Sequence, residues 1–350
     1  MAKPNTQIKE QSLFVKISAE HSGITFRNTN IYTVALPIGA DSARANLPWG
    51  IDDDYMNRYA GGGVAVGDIN NDGYSDIYFT SNQGCGGLYL NLGNFKFKDI
   101  TTEAGITYGE SWTTGSIMAD VNGDGHIDIY ICRSGKLPMA ATKNLLFINN
   151  GDLTFTEHAA KYGLDDIGLS VNASFFDMDC DGDLDAYVMN HPIFGEVDPT
   201  SFQFEEPRPG DEVTSDHLYE NINGAFIDIT ANAGLPTEKG SGLGLSVSDL
   251  NMDGMPDIYV SNDWIVNDFV YYNQGGGTFK DVSAVRMSKQ SFFSMGCDIA
   301  DVDNNGFPDV FVCDMAPYSH YRRNMILNGA PQEYYWLQKK YKALAQYSRN

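Results

Sequence analysis

Basic residues are scarce in this sequence: 23 Lys and Arg stand against 46 Asp and Glu, a formal net charge of −23. Such a chain has no basic patch to neutralise phosphates, which argues against nucleic acid as a partner. Long apolar runs are missing as well, so no membrane insertion is expected, and the only attachment left open is a lipid anchor on a precursor. The five cysteines, Cys85, Cys132, Cys180, Cys297 and Cys313, include no C-x-x-C pair and suggest no disulfide framework. Cys132 and Cys313 each fall four residues after the end of an acidic motif and read as small buried core residues. There is no H-E-x-x-H, no G-x-S-x-G, no Cys/His nucleophile pairing and no P-loop, and few stretches have helical periodicity.

What the chain has in quantity is Gly (36), Tyr (20) and Phe (19), the composition of short strands joined by many turns. One acidic phrase, D-x-[DN]-x-[DN]-G-x-x-D, recurs five times, at residues 68–76, 120–128, 177–185, 249–257 and 301–309. Positions 1, 3, 5 and 9 are Asp68, Asn70, Asp72 and Asp76 in the first copy, then Asp120, Asn122, Asp124 and Asp128. The third has Asp177, Asp179, Asp181 and Asp185, the fourth Asp249, Asn251, Asp253 and Asp257, and the fifth Asp301, Asp303, Asn305 and Asp309.

Four side-chain oxygens in one short loop, with a glycine at position 6 to permit a sharp turn, are what a hard divalent cation requires. Position 7 completes the set through its backbone carbonyl, at Tyr74, His126, Asp183, Met255 and Phe307. The side chains of His126 and Asp183 are expected to point outward. A helical Ca²⁺ loop would need Glu at position 12, and here that residue is Phe79, Ile131, Val188, Val260 or Val312. Asp, Asn and Gly also make good turns, but a turn does not hold four oxygen positions in register five times over. About five Ca²⁺ sites follow, with Mg²⁺ or Mn²⁺ as alternatives. Of the twenty side chains at positions 1, 3, 5 and 9, sixteen are carboxylates, and five divalent cations would reduce the charge from −23 to −13.

Each acidic loop is followed by a β-rich run such as Asp76-Ile77-Tyr78-Phe79, then a hairpin such as Leu88-Tyr89-Leu90-Asn91, then a phrase such as Phe97-Lys98-Asp99-Ile100-Thr101. Five residues before position 1 stand Gly63, Gly115, Asn172, Gly244 and Gly296. A strand glycine there suggests a neighbouring backbone at close range. Four strands per repeat predict an all-β fold, a β-propeller of four-stranded blades with about five blades present, open or truncated rings remaining alternatives. Residues 1–13 read as a disordered leader, 14–350 as propeller repeats, and about 315–350 as a short helical C-terminal segment. No further hairpin is recognised after the fifth loop, so the last blade lacks its outer half unless Phe14–Ile24 supplies a strand. Segments 25–60 and 191–216 are long insertions, as suited to recognition as to simple solvated excursions. Gly240-Ser241-Gly242-Leu243-Gly244 reads as the opening strand of a blade and not as a nucleotide loop.

These residues resemble the FG-GAP/VCBS repeat superfamily of integrin-α-like propellers. Gly61-Gly62-Gly63-Val64-Ala65-Val66-Gly67-Asp68, Asn190-His191-Pro192 and the closing Gln346-Tyr347-Ser348-Arg349-Asn350 are similar to its bacterial ASPIC/UnbV-associated subgroup. The resemblance implies cations in the loop between the first and second strands of each blade, with ligand binding on the opposite face. It implies a non-catalytic, calcium-binding module for a protein or glycan ligand, located outside the cytoplasm in the periplasm, on the outer-membrane surface or in the medium. Two alternatives stand beside it. One is a propeller-based polysaccharide lyase or glycoside hydrolase, which would need converging groups such as His191 and Arg133. The other is a structural N-terminal fragment of a larger ASPIC/UnbV-type protein.

Overall fold

The computed structural model describes residues 14–28, 62–82, 84–109, 111–134, 143–191, 215–235, 240–263, 267–291 and 293–314. The expected leader, the expected helical tail and most of the two long insertions lie outside the described residues.

Each acidic loop turns one strand back on the next, and each hairpin repeats the reversal, so consecutive strands pair antiparallel. The first sheet is β1 (Val64–Gly67), β2 (Asp76–Phe79), β3 (Gly87–Asn91) and β4 (Phe97–Asp99), hydrogen-bonded in that order. The second is β5 (Trp112–Ala119), β6 (Asp128–Ser134), β7 (Leu145–Asn149) and β8 (Phe155–Glu157). The third holds β9 (Ser170–Phe176), β10 (Asp185–Asn190), β11 (His217–Ile222) and β12 (Ala225–Asp228). The fourth holds β13 (Gly242–Ser248), β14 (Asp257–Asn262), β15 (Phe269–Gly275) and β16 (Thr278–Asp281). A fifth sheet has two strands among the described residues, β17 (Ser294–Ala300) and β18 (Asp309–Asp314).

The first strands of the blades pack side by side in chain order: β1 on β5, β5 on β9, β9 on β13 and β13 on β17. They surround a cavity of about 590 Å³ lined by Val64, Val66, Ile117, Val171, Leu243 and Met295, among others. The sheets are therefore blades set around an axis, as the repeat pattern predicts. The crowding inferred from the strand glycines is real at three of them. A Cβ would stand 2.6 Å from the Thr114 carbonyl oxygen at Gly63, 2.5 Å from that of Val171 at Gly115, and 2.7 Å from the Cys297 nitrogen at Gly244. At Gly296 nothing lies within 4 Å, because no described strand stands beyond β17.

Between blades the core is apolar. Its largest members are tyrosines that repeat with the blades: Tyr78, Tyr130, Tyr187 and Tyr259 are each at most 1% exposed. A buried phenol needs a partner for its hydroxyl. Tyr78 meets the Tyr108 hydroxyl at 2.8 Å, Tyr130 donates to the Leu164 carbonyl at 3.1 Å, Tyr187 to Asp216 at 2.6 Å and Tyr259 to Asp268 at 2.7 Å. The fifth blade has Phe311 in this position, 60% exposed among the described residues.

Two expectations need correction. Phe14–Ser18 forms no strand; the segment leads into a one-turn helix, α1 (Ala19–Ser22), capped by the Ser18 hydroxyl. Gly23 after it lies against blade 1, where a Cβ would meet the Phe97 carbonyl at 2.6 Å. Cys313 is exposed while Cys132 is buried, since β7 covers β6 and no described strand covers the outer edge of β18. All five cysteines are free.

Candidate metal centres

The five acidic loops share one internal hydrogen-bond pattern, which follows from the spacing of short polar side chains along a tight turn. Position 1 is the hub. Asp68 accepts the Asp72 N–H at 3.1 Å through one oxygen and the Gly73 N–H at 2.7 Å through the other. Asp120, Asp177, Asp249 and Asp301 accept the equivalent pair at 2.8–3.1 Å. Position 5 then accepts from position 7: Tyr74 onto Asp72, His126 onto Asp124, Asp183 onto Asp181, Met255 onto Asp253 and Phe307 onto Asn305. Position 6 is a left-handed glycine throughout, with φ between 86° and 101°. Position 4 is left-handed too, at Asn71, Gly123, Cys180, Met252 and Asn304. Only the Asn and Gly among these are types that favour this conformation, so Cys180 and Met252 gave no warning of it.

Position 9 begins the second strand and is driven inward. Asp76, Asp128, Asp185 and Asp257 are at most 1% exposed, and each carboxylate bridges two backbone amides. One oxygen accepts from position 2 of its own loop: Ile69, Val121, Met178 or Leu250 at 2.9–3.0 Å. The other accepts from an asparagine of the third strand: Asn91, Asn149, Asn221 or Asn273 at 2.7–2.8 Å. Burial pushes all four carboxyls upward, and the acids at positions 1, 3 and 5 add to the effect. Asp128 and Asp185 reach about 6, and Asp76 and Asp257 shift in the same direction. Asp309 accepts only the Val302 N–H among the described residues, at 3.1 Å.

In the first, second and fourth loops the position 7 side chain leans over the hairpin turn of the same blade. A Cβ at Gly93 would sit 3.5 Å from the Tyr74 ring, at Gly151 2.9 Å from His126 Nε2, and at Gly275 3.7 Å from Met255 Sδ. The third loop departs from this arrangement. Asp183 was expected to face outward, yet one of its oxygens is buried without a hydrogen-bond partner. Its pKa is raised, by burial first and then by Asp181 and Asp179 beside it.

These side chains fit a hard dication. The donors are all oxygens, and in two loops three carboxylates gather with one oxygen each inside 4.8 Å: Asp177, Asp179 and Asp185, and Asp301, Asp303 and Asp309. Their mutual repulsion has no compensating cation among the described side chains.

Sequence reasoning did not foresee a second polar cluster. His217 Nδ1 lies 2.5 Å from Asp166, which also accepts the Tyr219 hydroxyl at 2.6 Å and the Gly168 N–H at 2.5 Å. These residues come from segments fifty residues apart with no motif to link them. Arg133, considered for catalysis with His191, donates to the Ser111 hydroxyl and the Lys143 carbonyl.

The FG-GAP-like repeat family model matches residues 68–131 and 249–312. Cartilage acidic protein 1 of Xenopus tropicalis is 30% identical over 247 residues, covering 68% of this chain and 35% of that protein. The Homo sapiens protein of the same name is 27% identical over 209 residues, 59% of this chain and 29% of that one. This chain thus spans about a third of the length of the curated relatives it matches. A solved Agrocybe aegerita lectin that recognises non-reducing terminal N-acetylglucosamine is similar at a TM-score of 0.42 and 22% identity, over 70% of this chain and 59% of that one.

Proposed function

We propose, from the premise that this is a protein of FG-GAP-like repeats, that it is a calcium-braced propeller binding a protein or glycan ligand outside the cytoplasm, without catalysing a reaction. The observation that carries the calcium assignment is the shared loop geometry. In every loop backbone N–H donors orient the side-chain oxygens at positions 1, 3 and 5, and in the first four loops the carboxylate at position 9 is buried where an uncompensated charge is costly. In each loop the ligands would be the side chains at positions 1, 3, 5 and 9 and the carbonyl at position 7. Bound Ca²⁺ would supply charge compensation and rigidity, not chemistry. Loops built on one short turn suit the millimolar calcium of extracellular fluids.

Strand direction supports a ligand-binding face on the rim opposite the cation loops. β10 starts at the loop 177–185 and ends at Asn190, and β11 starts at His217, so both of these strand ends lie at the rim opposite the cation loops. On that side Asp216 accepts from Tyr187 and Asn190 of its own blade, and Asp268 accepts from Tyr259 and Asn262 of its own blade and from Ser294 of the next. This assignment supports a scaffold more than a reaction centre. Among the described residues, no helix is long and apolar enough to cross a membrane.

The deciding experiment is calorimetric titration of the chelator-stripped protein with CaCl₂, followed by thermal melts with and without EGTA. Several equivalents of bound Ca²⁺ and a melting point several degrees lower in EGTA are expected, since an ion bound only by the folded state stabilises it by mass action. No heat of binding and superimposable melts would overturn the reading.

A further inference from the structure

One bond in this architecture crosses from each of two blades to the cation loop of the blade before it. The third strand carries the same asparagine in blades 1 to 4, and its backbone N–H always donates to the position 9 carboxylate of its own loop. The side chain behaves differently from blade to blade. Asn149 Nδ2 donates to the Ile69 carbonyl in the first loop at 2.8 Å, and Asn273 Nδ2 to the Met178 carbonyl in the third loop at 2.7 Å. Ile69 and Met178 occupy position 2, between the first two ligand positions of their loops. Each is at most 1% exposed, and its own N–H is already held by the loop's position 9 carboxylate. Asn221 stands at the same repeat position but keeps its amide within its own blade, Nδ2 donating to the Leu184 carbonyl at 3.2 Å and Oδ1 accepting the Gly224 N–H at 2.8 Å.

We infer that Asn149 and Asn273 are positioning residues that each serve two cation sites at once, so that loops 1 and 2 form one coupled pair and loops 3 and 4 another, with no such link between loops 2 and 3. The inference rests on the reading of the loops as Ca²⁺ sites. The physical cause is direct. Through its backbone, Asn273 holds Asp257 in its own loop; through its amide, it fixes the peptide between Asp177 and Asp179 in the loop before. Ordering either loop restricts the same residue and lowers the cost of ordering the other.

Peptide-resolved hydrogen exchange of the full chain, titrated with CaCl₂, tests this. The readout is the Ca²⁺ concentration at which each loop becomes protected. Asn273→Ala should raise that midpoint about threefold or more for both 249–257 and 177–185, the fold-change expected for one net hydrogen bond. Asn221→Ala should move 177–185 alone and leave 120–128 unchanged. Because Asn273 is buried, the exposed-loop variant Asp253→Ala provides a second measurement: emptying loop 4 should shift 177–185 in the same direction. A shift confined to the mutated blade in both experiments overturns the coupling and leaves the calcium assignment intact. Loops that gain no protection from Ca²⁺ in the unaltered protein overturn both.

Discussion

His217 and Asp166 form a buried pair at the junction of the second and third blades, with Nδ1 2.5 Å from the carboxylate. The contact joins β11 to the segment that leads out of blade 2, so it clamps one blade to the next. Burial by itself would lower the His217 pKa, yet it ends above the ordinary value because Asp166 holds the imidazolium. The Asp166 carboxyl is held below its ordinary value, since the His217 bond and charge, with help from Tyr219, outweigh burial.

The signs set a pH window. The contribution of His217 is complete below the unfolded histidine pKa and is lost as pH rises through its raised folded value. The contribution of Asp166 is complete above the unfolded aspartate pKa and is lost as pH falls through its lowered folded value. The pair is therefore expected to stabilise most in mildly acidic solution. His217→Gln, which leaves Asp166 buried without its cation, should cost about 3–5 kcal/mol near pH 6 and less at pH 8. Urea unfolding at the two pH values measures this, and an equal loss at both would refute the ion pair.

Asp216 should behave in the opposite way. Burial pushes its carboxyl up to about 6, although Tyr187 and the Asn190 N–H both donate to it. An acid with a raised folded pKa favours folding while protonated and opposes it once ionised. Asp216→Asn is expected to change little at pH 4.5 and to stabilise at pH 8, by on the order of 1–3 kcal/mol. The difference between thermal melts at the two pH values checks the sign.

The cation loops make a stoichiometric prediction. Asp181→Ala should remove one bound ion per chain, measured by metal analysis after equilibrium dialysis, and leave the other loops filled. Asp183→Asn should weaken the same site without emptying it, because the buried oxygen of Asp183 lies beside Asp181. An unchanged ion count in Asp181→Ala would remove that loop from the set.

Two glycines at the same repeat position should respond differently to a methyl group. Gly115→Ala would drive a Cβ to within 2.5 Å of the Val171 carbonyl and is expected to cost about 1–3 kcal/mol. Gly296→Ala meets nothing within 4 Å and should be close to neutral. Chemical denaturation of the two variants side by side is sufficient, and equal losses would mean that inner-strand crowding is not what selects glycine.

The blade plan was legible in the sequence because its causes are local. Short β-rich runs make the strands, a glycine in the left-handed region closes each loop, and identical spacing forces identical internal hydrogen bonds in all five acidic turns. The crowding at Gly63, Gly115 and Gly244 could be anticipated for the same reason, since strand glycines repeat in register with the blades. Tertiary structure alone decided which polar groups meet across blades. His217 with Asp166 and Asn273 with Met178 depend on how neighbouring sheets pack, and no spacing within the chain encodes them. The same limit explains Cys132 and Cys313, which share a repeat position and differ in burial because, among the described residues, a third strand covers only one of them. Short-range pattern determines which residues form a turn or a strand, and the approach of separate sheets determines which of their side chains share a charge.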